Sequence, residues 1–134
     1  MQVQNYLFFD GRCEQALNFY QQTLGAQITQ LMRFADAPEE EQGPPEWRDK
    51  VMHASLTIGQ TALMASDGMP GQSTPMQGFS LALDPATLDE GRRLFDALAQ
   101  GGQIEMPFGP TFWAKGFGML RDQFGVPWMV NVEG

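Results

Sequence analysis

The sequence predicts an α+β chain built as two tandem β-α-β-β-β modules. Three observations carry this: alternating β-rich runs, two amphipathic stretches at helical spacing, and recurrence of the same element order in both halves of the 134 residues. A single domain over 1-134 is expected, with module one at about 1-67, a linker at about 68-76 and module two at about 77-134.

Val3 to Phe9 reads as a short strand closed by the turn residues Asp10-Gly11. Cys13, Ala16, Leu17, Tyr20 and Leu24 fall on one face of a helix, and Gly25 stands where a left-handed cap belongs. Residues 27 to 34 form a second strand. Residues 35 to 48 hold three prolines and the acidic run Glu39-Glu40-Glu41, which predicts a long solvated loop with neither helix nor sheet. From Val51 to Ile58 the alternation puts Met52, Ala54, Leu56 and Ile58 on one face, with Val51, His53, Ser55 and Thr57 on the other. Gly59-Gln60 then turns the chain into a strand over 61 to 66.

After a Gly/Pro/Ser-rich connection the order restarts. Phe79 to Leu83 is a strand, and Asp84-Pro85 followed by Thr87-Leu88-Asp89-Glu90 offers cap, proline and capping-box signals for a helix. Leu88, Leu94, Phe95 and Leu98 supply its apolar face, and Gly101-Gly102 ends it. Strands follow at Gln103 to Phe108, Phe117 to Arg121 and Pro127 to Val132.

Eight Lys plus Arg against 16 Asp plus Glu give a net charge of -8, with the cations scattered. That balance opposes a phosphate-binding footprint and adhesion to anionic membranes, so neither nucleic acid nor membrane is an expected partner. No apolar run approaches the roughly 18 residues of a membrane span, and the start lacks a basic-then-apolar leader, so a cytoplasmic protein is expected. Cys13 is the sole cysteine and His53 the sole histidine, which removes an intramolecular disulfide, a thiolate zinc cluster and any mechanism needing two imidazoles in one chain.

Several segments together carry a resemblance. They are Tyr6-Leu7-Phe8-Phe9, Glu14 through Phe19-Tyr20, Pro44-Pro45-Glu46-Trp47 leading into Val51-Met52-His53-Ala54, Leu63 to Asp67, and Phe112-Trp113 through Phe124-Gly125-Val126-Pro127-Trp128-Met129. Nearly end to end, the chain resembles the PhnB-like branch of the vicinal oxygen chelate superfamily, which includes glyoxalase I, bleomycin-resistance proteins and extradiol dioxygenases. The resemblance implies a curved mixed sheet around a cleft, a homodimer, and in many members a divalent metal held by His or Glu from the first and last strand of each module. In this sequence those positions fall at or beside Asn5, Met64, Phe79 or Ser80, and Met129, so no metal ligand carries over and no cofactor is expected. No Gly-rich strand-to-helix turn of the kind that cradles a nucleotide cofactor is present either.

The candidate site residues are weighed against ordinary structural roles. His53, with Ser55 beside it and Ser66 and Met64 on the next strand, is a candidate acid/base or ligand contact; a structural histidine bonded across the sheet is the plain alternative. Asn5 and Asn131 are placed to orient a ligand, or else serve neighbouring backbone. Met64 and Met129 line an adaptable apolar surface or fill core. Trp113, with Phe112 and Lys115, forms a ligand wall or an interface. Cys13 fits the apolar helical face better than a reactive role, and Trp128 reads as core.

Three functions stay open on these grounds. The expected one is metal-independent binding of a small, neutral or cationic aromatic molecule in the cleft. An alternative is an isomerase, lyase or transferase using His53 as acid/base. A third is an assembly module whose cleft is plugged by Phe9, Met64, Met129 and Trp113.

Overall fold

A computed structural model describes residues 1–72 and 74–134; Ser73, within the expected linker, lies outside the described residues. The chain divides into two compact units, Met1–Thr74 and Pro75–Gly134, and each carries one four-stranded sheet with one helix.

In the first unit the order is β1 (Tyr6–Phe8), α1 (Cys13–Leu24), β2 (Gln27–Arg33), β3 (Val51–Ile58) and β4 (Thr61–Ser66). The sheet runs β1-β4-β3-β2, with β1 parallel to β4 and the other neighbours antiparallel. Helix α1 buries Cys13, Ala16, Leu17 and Tyr20, the stripe its sequence spacing predicts. It stops at Gly25, whose φ of 67° is left-handed; the Gly25 amide donates to the Gln21 carbonyl and the Ala26 amide to that of Tyr20. At its start Arg12 supplies no side-chain cap. Asp67, from beyond β4, takes that role, its Oδ1 accepting from the amides of Gly11 at 2.7 Å and Cys13 at 2.8 Å. A carboxylate there satisfies orphan donors and complements the helix dipole.

The sheet buries Leu7, Ala54, Leu56, Leu63 and Ala65. Val51 departs from the expected polar face, being fully buried: strand pairing shifts between Met32 and Arg33, and Asp67 bonds both the amide and the carbonyl of Val51. Met52 and Ile58, expected in the apolar face, are only half-buried. The acidic Pro-rich segment is not wholly irregular either. It forms single 3-10 turns at Phe34–Asp36, Glu39–Glu41 and Pro45–Trp47, and is pinned by Trp47 Nε1 donating to the Gly68 carbonyl at 2.8 Å.

The second unit contains β5 (Leu81–Leu83), α2 (Leu88–Ala99), β6 (Gln103–Gly109), β7 (Ala114–Arg121) and β8 (Pro127–Glu133), in sheet order β5-β8-β7-β6. Thr87 is the cap of α2, its hydroxyl accepting from the Glu90 amide at 3.2 Å, so Asp84-Pro85 lies outside the helix. Leu88 is also misplaced by the periodicity: it is 46% exposed, and Gly91 lies in the buried face instead. A Cβ at Gly91 would press on Val132 and Phe108, and one at Gly118 on Phe95 and the Phe108 backbone, so these glycines set how closely α2 packs on the sheet. Asp122 organises the turn into β8, accepting from the amides of Phe124 and Val126 and from Trp128 Nε1. No helix among the described residues is long and apolar enough to cross a membrane.

Candidate functional site

Because side chains alternate along a strand, the sheet face of the first unit turned away from its buried layer is read directly from the register. Tyr6 lies beside Met64 across the parallel pair, and Ser55 lies opposite Met64 across the hairpin. Tyr6, Phe8, His53, Ser55 and Met64 therefore share this open face.

Its polar centre is a hydrogen-bonded line. The Tyr6 hydroxyl is 2.8 Å from His53 Nδ1, and Ser55 Oγ is 3.3 Å from Nε2 on the other side of the ring. When the phenol donates to a neutral imidazole, the ring proton sits on Nε2 and points toward Ser55. Around this line the surface is aromatic: Tyr6 and Phe8 stack at 5.0 Å, Tyr6 and His53 lie 5.6 Å apart, and Phe8 is 55% exposed. Burial pushes the Tyr6 phenol above its ordinary pKa, a hydrogen bond with Ser66 opposing the effect.

The face thus joins His53, Ser55 and Met64 from the sequence reading, and adds two residues that reading missed as site members, Tyr6 and Phe8. No sequence signal singles them out, since Tyr6-Leu7-Phe8-Phe9 is apolar throughout; only the structure separates exposed Tyr6 and Phe8 from buried Leu7 and Phe9. Ser66 is buried at 3% exposure and occupied by the fold, its oxygen accepting from the Gly68 amide at 2.8 Å. Asn5 precedes β1 rather than lying in it, and uses its backbone carbonyl to accept from the Met64 amide. Phe9 packs toward Tyr20 of α1 and does not plug the open face. Cys13 is fully buried, and burial, with Asp67 and Glu14 nearby, pushes its thiol far up, so it is an inert core group.

The corresponding face of the second unit carries Ala82, Met129, Met119, Phe117 and Asn131. Ala82 pairs with Met129, Met119 with Met129 and Phe117 with Asn131, while Val130, Val132 and Trp128 are buried. Trp113 stands edge-on to Phe117 at 5.4 Å and to Phe112 at 4.8 Å; it is half-exposed and Phe112 almost fully so. Lys115 is exposed.

A recess of about 450 Å³ also opens beside α1, lined by Glu14, Arg33, Lys50 and Asp67 among others. Its charges are largely committed to the fold: Arg33 forks onto Glu14 and bonds the Asp49 carbonyl, Lys50 donates to the Gly11 carbonyl, and Asp67 holds three amides.

A divalent metal in the manner of the superfamily does not fit these residues. The first and last strands of each unit place Tyr6 beside Met64 and Ala82 beside Met129, since β1 begins at Tyr6 and β5 at Leu81 rather than at Asn5 and Phe79 or Ser80. A phenol, two thioethers and a methyl group are poor donors for ions that favour imidazole and carboxylate.

Compared with known proteins, residues 1–131 match the family described as 3-demethylubiquinone-9 3-methyltransferase. Protein YjdN of Escherichia coli strain K12 is 41% identical over 98% of this chain and 95% of its own length. The crystal structure of protein PA1353 from Pseudomonas aeruginosa is 47% identical with a TM-score of 0.89, covering 99% of this chain and 98% of that one. A putative 3-demethylubiquinone-9 3-methyltransferase, PhnB protein, from Bacillus cereus is 30% identical with a TM-score of 0.83, covering 98% and 99%. A glyoxylase/bleomycin resistance protein/dioxygenase domain from Frankia sp. EAN1pec is 13% identical with a TM-score of 0.69, covering 100% and 98%, and so shares the fold alone.

Proposed function

The chain belongs to the PhnB-like, 3-demethylubiquinone-9 3-methyltransferase family with the glyoxalase/bleomycin-resistance/dioxygenase fold, and from that premise we propose that it binds a small aromatic molecule on its open sheet faces without a metal. The observation that carries this reading is the Tyr6–His53–Ser55 line set beside the exposed Phe8 ring. A flat apolar ligand stacks on Phe8, and its polar edge meets the Nε2 side of His53 and the Ser55 hydroxyl. The net charge of -8 favours neutral or cationic ligands over anions.

The test is a titration of isotope-labelled protein with neutral and cationic benzene derivatives in chelator-containing buffer, following backbone amide resonances. Shifts at residues 6–8 and 53–55 that vanish in Phe8→Ala support the reading. A panel that leaves those amides unmoved, or binding that requires added nickel, zinc, iron or manganese, defeats it.

The same line favours a second reading, an isomerase, lyase or transferase in which His53 moves a proton while Tyr6 fixes its tautomer. Full turnover by His53→Ala on any substrate found ends that version. Homodimerisation rests on the resemblance alone and is checked by analytical ultracentrifugation; a monomer at tens of micromolar would end it.

A further inference from the structure

The recess of about 450 Å³ beside α1 falls within the size range of small-molecule sites, about 300–1,000 Å³. It is distinct from the open sheet face, since none of Tyr6, Phe8, His53, Ser55 and Met64 lines it. Apart from Gly11 and Val51 every residue of its wall is polar or charged, so it suits a polar molecule. The charge of that molecule follows from what the fold leaves unused. Both terminal nitrogens of Arg33 are engaged, on the Glu14 carboxylate and the Asp49 carbonyl, and buried Asp67 serves three amides. Lys50 spends one of its three N–H donors, on the Gly11 carbonyl. Among the described residues the exposed Asp49 carboxylate has no hydrogen-bond partner, and neither do the exposed side-chain amides of Gln15 and Asn18 on α1.

The recess therefore presents a cationic donor and a carboxylate with unspent valence, flanked by two amides that each donate and accept. A simple anion there meets Asp49 and Glu14, and a simple cation meets Lys50 and Arg33. A molecule bearing both charges pairs each with its opposite and, having no net charge, is not opposed by the chain's -8. We propose that this recess binds a small zwitterion of the α-amino acid class, its carboxylate on the Lys50 ammonium, its ammonium on the Asp49 carboxylate and a polar side chain on Gln15 and Asn18. The contact is independent of the aromatic-binding face, because the two share no residue. Its charged groups are partly exposed, so each charged end adds only about three- to fivefold to the affinity.

L-serine, L-serinamide and N-acetyl-L-serine test this, because the second keeps only the ammonium and the third only the carboxylate. Each is titrated into isotope-labelled protein at constant ionic strength and about pH 6.5, where an amine of pKa roughly 7.7–8.0 is charged. The expected result is saturable shifts of the backbone amides of residues 11, 14–18, 33 and 49–51 with serine, and about three- to fivefold weaker binding of each analogue. Asp49→Asn removes a carboxylate that holds nothing in the fold, so it lowers serine to the level of N-acetyl-L-serine and leaves that analogue no weaker. The double variant Gln15→Ala with Asn18→Ala weakens all three. Three probes that bind alike, serine that produces no saturable shift, or serine affinity unmoved in Asp49→Asn would each overturn the proposal. Shifts confined to residues 6–8 and 53–55 overturn it too, while leaving the reading of the open sheet face standing.

Discussion

Asp67 is the residue on which the geometry of the first unit turns, and its removal is the sharpest test of that geometry. The carboxylate is 3% exposed and accepts three backbone hydrogen bonds, from Gly11 and Cys13 at Oδ1 and from Val51 at Oδ2, between 2.7 and 2.8 Å. Asp67→Ala strands all three amides at once. The Cys13 and Val51 amides are buried and the Gly11 amide partly so. At about 1–3 kcal/mol per unsatisfied group, with water partly relieving Gly11, the loss is about 3–5 kcal/mol. That is a large share of a typical total stability of about 5–15 kcal/mol, and at about 4 °C per kcal/mol it lowers Tm by about 10–20 °C.

Asp67→Asn sharpens the argument because it changes charge and one acceptor without changing shape. With its oxygen toward Gly11 and Cys13, the amide sets an NH2 against the Val51 N–H; flipped, it loses two bonds rather than one. The first orientation prevails, and the expected cost is about half that of alanine. Urea denaturation read by tryptophan fluorescence, with amide exchange at Cys13 and Val51, measures both variants. A loss below about 1 kcal/mol for Asp67→Ala, or equal losses for alanine and asparagine, would refute the reasoning.

In the second unit, Trp128→Phe removes the indole donor to Asp122 Oδ2 and part of a ring that is 2% exposed, so denaturation should show a loss of about 2–3 kcal/mol. Gly118→Ala drives a Cβ to 2.6 Å from Phe95 and 2.9 Å from the Phe108 Cα, and should cost about 2–3 kcal/mol. Gly59→Ala meets open space and carries only the strain of φ +56°, about 1 kcal/mol, so equal effects would contradict the close approach at Gly118. The fork from Arg33 holds the Glu14 carboxyl below its ordinary pKa, burial opposing it. Both partners are substantially exposed, so the pair is worth at most about 1 kcal/mol. A lowered folded pKa means that this stability is present above the unfolded value, near 4.3, and is lost as pH falls through the folded one. The stability difference between wild type and Glu14→Gln should therefore be flat near neutrality and shrink below about pH 4.3; a difference that grows with acid would contradict the pairing.

The two modules were legible because their signals are local. A period of two with Gly59-Gln60 fixes a hairpin, and Cys13, Ala16, Leu17 and Tyr20 fix a helical face, whatever lies elsewhere in the chain. The errors arose where distant segments decide. Val51 is buried off its expected polar face because Asp67, beyond the next strand, binds its amide. Gly91 took a buried place that periodicity gave to Leu88, because Val132 and Phe108 leave no room there for a larger side chain. For the site, His53, Ser55 and Met64 follow from alternation and hairpin register. Tyr6 as their partner does not, because a parallel pair has no turn to set its register, and the match of Tyr6 with Met64 is made only in three dimensions.

That same register decides what chemistry the first-unit face supports. Had Tyr6 and Met64 been histidine or glutamate, the two adjoining strands would have offered a divalent ion two good donors from one sheet. Instead the phenol keeps its proton, since burial raises its pKa and His53 Nδ1 stands 2.8 Å away to receive the hydrogen bond. A neutral phenol and a thioether leave no anionic charge on which a Lewis-acid mechanism could be assembled. What they leave is a proton whose position along Tyr6, His53 and Ser55 is set by hydrogen bonds, next to a Phe8 ring open to solvent. On the proposed reading such a surface would select a ligand by stacking and by hydrogen-bond polarity, and His53 would be the group through which a proton moves.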